Sequence, residues 1–337
     1  LILNYFIGDV DIKYRVTLVG GGAVATGLKA NSFLEIPNHL KAIESNKKKF
    51  EIYSIIEKNP NKRKLLKKYK YNILNDIKDI TEPKKDDIFV ICTPSNIRFE
   101  IINALIKKGI KNIIVEKPLS LTLLECLKIK EIVKKNKVNC FINYQRRNIK
   151  YFNSLKLSLA DCLEVIVNYN NGLYNYASHA IDLLNFFFGK ISHVKSLDNS
   201  FHKTNSNDKL ISFTGTIRKK VKIKFNAFNA VDYDMLDLEF FCKKKKITLQ
   251  AGGALINHEK PLSGLFFEGY SHLKIIKSYK NESNGFKELY FNLYEHMVNK
   301  ENSSNLCTID DAIYVVKVCE AAIKSYNNNG KEIIVDK

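Results

Sequence analysis

The chain has 337 residues, 45% of them hydrophobic, and a formal net charge of +19. That length asks for two domains rather than one core, and no uninterrupted apolar run is long enough to span a membrane. The positive charge runs along the whole chain with no nucleic-acid-binding motif beside it, so it reads as composition, not as a nucleic-acid face.

Seven scattered cysteines, odd in number and without CxxC spacing, are expected to be reduced thiols of a cytoplasmic protein, with no metal cluster. The apolar opening, residues 1–7, lacks a basic leader and a small-residue cleavage site and is not read as a signal peptide. Residues 14–19 then read as a strand running into Gly20-x-Gly22-x-x-Ala25 at the opening of a helix. In such a turn the first glycine permits a sharp reversal and the second lets the backbone approach a pyrophosphate. The small third residue lets the helix pack on the strand, with the N–H groups at its start, around Ala23 and Val24, aimed at phosphates. Pro37 should interrupt this helix and marks an insertion before a second strand over 50–56. Glu57 ends that strand, where an acidic residue binds adenosine ribose hydroxyls. A carboxylate there repels a 2′-phosphate and favours NAD, whereas Lys58 beside it keeps NADP open.

Residues 88–92 and 112–115 are nearly all apolar, as strands covered on both faces are. Between them Phe99, Ile102, Leu105 and Ile106 fall at helical spacing, with Gly109 as a C-cap. This alternation predicts a doubly wound parallel sheet over residues 1–120. Lys117 precedes Pro118 at the carboxyl edge of the fourth strand, where ligands of such a sheet bind. A lysine whose pKa is lowered by burial or a neighbouring cation can move the proton that accompanies hydride transfer.

After about residue 120 the pattern changes. A helix is expected over 121–135, strands over 138–142, 163–169, 211–217, 221–228, 236–241 and 273–279, and helices over 286–298 and 309–326. Lys243-Lys244-Lys245-Lys246 reads as a solvated turn, and Val221-Lys222-Ile223-Lys224-Phe225-Asn226 alternates as a sheet with one wet face does. Residues 121–337 are therefore expected to form a second, α+β domain with a large, mostly antiparallel sheet. A helix from Tyr176 onward would set Asn175 and Asp182 each about one turn from His179, on a shared face, with Asp182 fixing the histidine tautomer.

The ordered set 19–25, Cys92-Thr93-Pro94, Glu116-Lys117-Pro118 and Ser178-His179-x-x-Asp182-Leu183-Leu184 resembles the Gfo/Idh/MocA family of glucose–fructose oxidoreductase and inositol dehydrogenase. The resemblance covers nearly the whole chain and implies a Rossmann domain followed by a substrate domain. It implies that Lys117 is the proton donor or acceptor and contacts the nicotinamide ribose, and that His179 binds or protonates the substrate. Thr93 and Pro94 would line the nicotinamide, and Glu116 would support the site. Tyr144-Gln145-Arg146-Arg147 is similar to the segment that follows the crossover into the substrate domain, and its arginines are candidates for substrate phosphates or carboxylates.

The expected activity is hydride transfer between NAD, or NADP, and a secondary alcohol or ketone of a sugar. A nucleotide-linked sugar is favoured, with Arg146 and Arg147 on its diphosphate and Tyr144, Asn175 and Asp182 around the substrate. A homo-oligomer is implied by the resemblance alone. Two departures stand out. Asn175 occupies a place where many members carry Asp, and the histidine that often follows the glycine loop is displaced to His39. Asn175 motivates the alternative, a dinucleotide-binding regulator or inactive partner subunit.

Overall fold

Six strands from the first half of the chain make a parallel sheet whose central members are apolar on both faces. They are β1 (Tyr14–Val19), β2 (Phe50–Ile56), β3 (Asn72–Leu74), β4 (Ile88–Ile91), β5 (Asn112–Glu116) and β6 (Asn139–Asn143). The computed structural model describes residues 12–29, 35–197, 202–203, 208–218, 220–229, 232–264, 267–299 and 305–335. The order is β6-β5-β4-β1-β2-β3, with Cys307–Thr308 pairing antiparallel outside β6. Strand order reverses between β1 and β4, and that reversal opens a crevice beyond their carboxyl ends.

The parallel sheet runs past the expected boundary at residue 120. Helix Leu123–Lys135 is a crossover that brings β6 beside β5 in parallel register, Asn112 opposite Asn139 and Glu116 opposite Asn143. The helix after the glycines also differs from expectation. It spans only Ala23–Thr26 and stops at Gly27, which has φ 76°, so the interruption comes before Pro37. Thr26 Oγ1 bonds back to the carbonyls of Gly21 and Gly22, closing this single turn on itself. The chain resumes helix at His39–Ser45, where Asn38 Oδ1 caps the Lys41 N–H.

The second sheet has nine strands among the described residues. In spatial order they are Ser271–Lys280, Leu255–Ser263, Lys245–Gln250, Leu236–Cys242, Cys162–Tyr169, Val221–Ala227, Phe213–Ile217, Ile191–Ser196 and Ile333–Ile334. Every neighbouring pair is antiparallel except Val221–Ala227 with Cys162–Tyr169. Lys243 and Lys244 alone make the turn expected of four lysines; Lys245 and Lys246 already belong to the next strand, where Lys246 meets Glu239 at 2.6 Å. The buried face presents Val165, Val167, Ile223, Phe225, Leu238 and Phe240 to helices Ser178–Phe188 and Ile309–Asn327 in one core. No helix among the described residues is long and apolar enough to cross a membrane.

Candidate functional site

The crevice at the strand reversal is a cleft of about 410 Å³ whose lining includes Gly20, Gly22, Glu57, Lys58, Thr93 and Pro94. Gly20 has φ 96°, and a Cβ there would stand 3.1 Å from the Cys92 carbonyl oxygen, so only glycine lets β1 turn this closely past the end of β4. A Cβ on Gly22 would meet nothing within 4 Å, which leaves that side of the turn open to a ligand. Ala25 is fully buried and lets the turn sit on the sheet, while Ala23 and Val24 line an adjoining hollow with Pro37 and Asn38.

Glu57 is buried, and its two oxygens accept the Gly21 and Asn59 N–H groups at 2.9 Å each. It therefore pins the glycine turn to the start of helix Pro60–Leu66 and keeps a second lone pair on each oxygen for a ribose hydroxyl. Lys58 is exposed and ion-paired to Asp76 at 3.0 Å. Lys62, which the sequence reading passed over, also lines this end of the cleft. Arg98 was missed as well. Its guanidinium donates to the Thr93 carbonyl at 3.0 and 2.8 Å and to the carbonyls of Glu116 and Pro118, tying the loop after β4 to the loop after β5. Its place at the start of helix Arg98–Lys107 gave a surface-like signal in the sequence.

Beyond this clamp, Lys117 Nζ donates to the Asn175 carbonyl and to Asn175 Oδ1, both at 2.8 Å. Burial brings the Lys117 ammonium down to about 8, with Arg146 and Arg98 adding to the effect and Glu116 and Asp208 opposing it. Glu116 is held by three donors: Asn143 Nδ2 at 2.6 Å, His39 Nε2 at 2.9 Å and the Lys117 N–H at 3.2 Å. Burial alone would raise its carboxyl, but His39, Asn143 and Lys117 prevail and hold it below the usual range. His39 Nδ1 reaches the Tyr290 hydroxyl at 2.9 Å, so the displaced histidine is a buried support under the lysine.

His179 is buried on helix Ser178–Phe188, with its ring edge-on to Tyr144 at 5.6 Å and 84°. Burial, then the charges of Arg146 and Lys117, push its pKa well below the ordinary histidine value, so its imidazole is neutral. Arg146 Nε donates to the Gly252 carbonyl at 3.2 Å. Among the described residues, the buried side-chain polar atoms without a hydrogen-bond partner are Thr93 Oγ1, Asn143 Oδ1, Tyr144 Oη, Arg146 Nη1 and His179 Nδ1. All five belong to the residues around the crevice and Lys117, where a ligand can supply the missing partners.

Three expectations need correction. Asp182 does not touch His179: its Oδ2 and Oδ1 accept from Arg147 Nε at 3.0 Å and Nη2 at 2.5 Å. Arg147 also donates to Asp311 at 3.0 Å, and with 3% and 1% of their side chains exposed, Arg147 and Asp182 do not reach substrate. A buried guanidinium needs carboxylates, and these two supply them. Finally, Tyr176 lies in a π-type turn, Leu173–Ala177, with α-helix starting only at Ser178. The turn is anchored by Asp208, whose carboxylate accepts the N–H groups of Tyr174 at 3.0 Å and Asn175 at 2.7 Å. This puts Asn175 on Lys117 rather than beside His179. Lys117, Tyr174, Asn175 and Asp208 share the lining of a second hollow of about 460 Å³.

Residues 15–144 match the model of the oxidoreductase family with an NAD-binding Rossmann fold, Gfo/Idh/MocA. No curated protein matches the chain in sequence. Solved structures match almost end to end. A super-repressor mutant of Gal80p from Saccharomyces cerevisiae is 16% identical with TM-score 0.75, over 96% of this chain and 98% of that one. A putative NADPH-dependent oxidoreductase from Desulfitobacterium hafniense is 13% identical with TM-score 0.76, over 96% and 98%. The WlbA dehydrogenase from Bordetella pertussis, in complex with NADH and UDP-GlcNAcA, is 14% identical with TM-score 0.74, again over 96% and 98%. At these identities the similarity is one of fold.

Proposed function

We propose, from the match of residues 15–144 to the Gfo/Idh/MocA oxidoreductase model, that this chain transfers hydride between a nicotinamide dinucleotide and a secondary alcohol or ketone of a sugar. The observation that carries the reading is Lys117: a half-buried amine brought to about 8, one loop away from the dinucleotide crevice and close to a neutral, partnerless His179. A group titrating near the working pH is suited to passing a proton both ways.

The dinucleotide fits the residues present: an open Gly22, a glycine turn pinned by Glu57, and an unpartnered Thr93 Oγ1. Gly20 and Gly22 hold the pyrophosphate end, Glu57 the adenosine ribose, and Thr93 and Pro94 the nicotinamide end, with Glu116 supporting Lys117. When bound, the nicotinamide accepts or delivers the hydride. Lys117 takes the hydroxyl proton in oxidation and returns it in reduction. His179, being neutral, orients the substrate oxygen by a hydrogen bond, beside Tyr144, while Asn175 holds Lys117. Glu57 favours NAD, because its carboxylate repels a 2′-phosphate while Lys58 is occupied by Asp76.

A nucleotide-linked sugar remains the favoured substrate. WlbA binds one in its complex with NADH, and the hollow beside Lys117 gives this chain room for a sugar. Arg147 takes no part in holding the diphosphate, since Asp182 and Asp311 occupy it. The second reading is a regulator that binds dinucleotide without turnover. Asn175 on Lys117 favours it, as does the fold shared with Gal80p. Thermal shifts with NAD, NADH, NADP and NADPH, followed by NADH production from a panel of UDP-sugars, test both. A ligand at a hundred times its Kd adds about 2.7 kcal/mol to stability. Stabilisation with turnover supports the enzyme, stabilisation without turnover on any sugar supports the regulator, and no stabilisation removes both.

A further inference from the structure

Two free cysteines, Cys162 and Cys242, face each other across paired strands of the second sheet. Strands Cys162–Tyr169 and Leu236–Cys242 run antiparallel in even register from Leu236 opposite Tyr169 to Phe241 opposite Glu164. The pairing then skips Leu163 and sets Cys242 opposite Cys162. Without that skip Cys242 would face Leu163, and Cys162 would point to the other side of the sheet. The extra residue re-aims Cys162 toward Cys242 and leaves Leu163 51% exposed. Directly opposed residues of an antiparallel pair have Cα atoms about 4.5–5.5 Å apart, within the span of about 4.4–6.8 Å that a disulfide bridges.

The two thiols differ in access and in surroundings. Cys162 is buried, with its Sγ 3.4 Å from the Glu164 carbonyl, whereas Cys242 is half-buried at the end of its strand. Lys243, Lys244 and Lys245 follow Cys242 directly. The first two are exposed, and Lys245 Nζ lies 3.7 Å from Asp161 Oδ1, next to Cys162 in the chain. Contact with the Cys162 thiol, helped by the Lys245 ammonium, brings Cys242 below the ordinary thiol value against burial and Asp161. Burial does the opposite at other cysteines. It pushes Cys126 and Cys140 up to about 12 and raises Cys92, Cys307 and Cys319 well above the ordinary value. A thiol that is accessible, flanked by cations and set against a second thiol is the one that oxidises first.

The geometry points to Cys162 and Cys242 as a redox-active dithiol, a modification site that reacts with hydroperoxides and closes to a disulfide between the two strands. It lies at the start of strand Cys162–Tyr169, whose other end leads to Asn175, and it needs neither dinucleotide nor sugar. The Cys242 thiolate, its proton lost to water, attacks one peroxide oxygen. An S–O bond forms, the O–O bond breaks, and the departing alkoxide or hydroxide takes up a proton. Cys242 is now a sulfenic acid, oxidised by the two electrons that reduce the peroxide. Cys162 then attacks the Cys242 sulfur, the S–S bond forms, and the S–O bond breaks with release of water that carries the Cys162 proton. The sum is two thiols and one hydroperoxide giving a disulfide, an alcohol or water, and one water. A dithiol reductant reverses it by exchange.

Exposure of the full chain to equimolar hydrogen peroxide tests this, with the remaining thiols alkylated and the unreduced peptides mapped by mass spectrometry. One intrachain Cys162–Cys242 link is expected, with two fewer alkylated cysteines than the seven of the reduced protein and full recovery in dithiothreitol. Cys162→Ala should stop at a Cys242 sulfenic acid, which dimedone captures. Cys242→Ala should slow thiol loss by about tenfold or more, because the reactive thiolate is gone. Oxidation spread over several cysteines, a different pair, a link between two chains or no loss of thiols overturns the proposal. So does a Cys242→Ala protein that loses thiols as fast as the wild type. Peptide mapping of the wild type decides the matter by itself if either variant fails to fold.

Discussion

Lys117 Nζ donates to both oxygens that Asn175 offers, its carbonyl and its Oδ1, at 2.8 Å each. The lysine is thus held by a neutral amide rather than by a carboxylate. An ammonium beside an amide is less stabilised than one beside an anion, which fits a Lys117 lowered to about 8. Oxidation of an alcohol requires the neutral amine. In the oxidative direction kcat/KM should therefore rise with pH through about 8, and in the reductive direction fall through the same range. Asn175→Asp should move both limbs to higher pH, because a new carboxylate favours the ammonium. Lys117→Met should erase the limb and cut kcat by about 10²- to 10⁴-fold with NADH binding retained. A pH–rate series on the three proteins checks this.

Glu116 predicts a shift of the opposite sign. Its charge opposes the lowering of the Lys117 pKa. Glu116→Gln keeps the side-chain size and an acceptor for the Lys117 N–H but removes the charge. The oxidative limb should move to lower pH, and activity below neutrality should gain relative to the plateau. A limb that stays in place would mean that the carboxylate only props the loop. The same pH–rate measurement reads the outcome, with dinucleotide affinity as the control for loop collapse.

Much of this architecture is legible in the sequence, for physical reasons that also mark where legibility ends. The apolar runs of β1, β4 and β5 announce a covered parallel sheet, because alternation is absent only when both faces are buried. Gly20 and Lys117 could be placed because strand ends fix their positions. Partnership across the fold is different. Asp182 lies three residues from His179, yet its partner is Arg147, and nothing local distinguishes Arg147 from Arg146. One of these adjacent arginines is a structural ion pair and the other an unpaired cation, a difference set by Asp311 and Gly252 from remote segments. Arg98 escaped notice for the same reason: three carbonyls from two loops satisfy it, and carbonyls leave no mark in a sequence. The strand Asn139–Asn143 was seen, but which sheet it joins depends on the crossover before it.

The Arg147–Asp182 pair gives a stability prediction. Both side chains are nearly inaccessible, and burial would lower the guanidinium pKa were it not for Asp182 and Asp311, which raise it. Arg147→Met strands the Asp182 carboxylate and should cost about 3–5 kcal/mol. Adding Asp182→Leu should recover much of that loss, since replacing a buried pair with apolar groups is often neutral. Urea unfolding of the wild type, the single and the double variant measures the recovery. Additive losses would show that the pair contributes more than mutual compensation.

At the other end of the site, cofactor choice depends on which charge faces the adenosine ribose. Glu57 lines the cleft from a buried, doubly bonded position, while Lys58 is drawn to Asp76 and Lys62 stands free of any carboxylate contact shown among the described residues. The fixed charge nearest the glycine turn is therefore negative, and NADH should bind about tenfold or more tightly than NADPH. Lys62→Glu should weaken NADPH further and change NADH little, because only the 2′-phosphate carries charge to that side. Asp76→Asn should act in the reverse sense: it releases Lys58, and the gap between the two cofactors should narrow. Fluorescence titrations with both reduced dinucleotides measure these ratios. A wild type that prefers NADPH would assign the ribose end to Lys58 and Lys62 and leave Glu57 only its bond to the glycine turn.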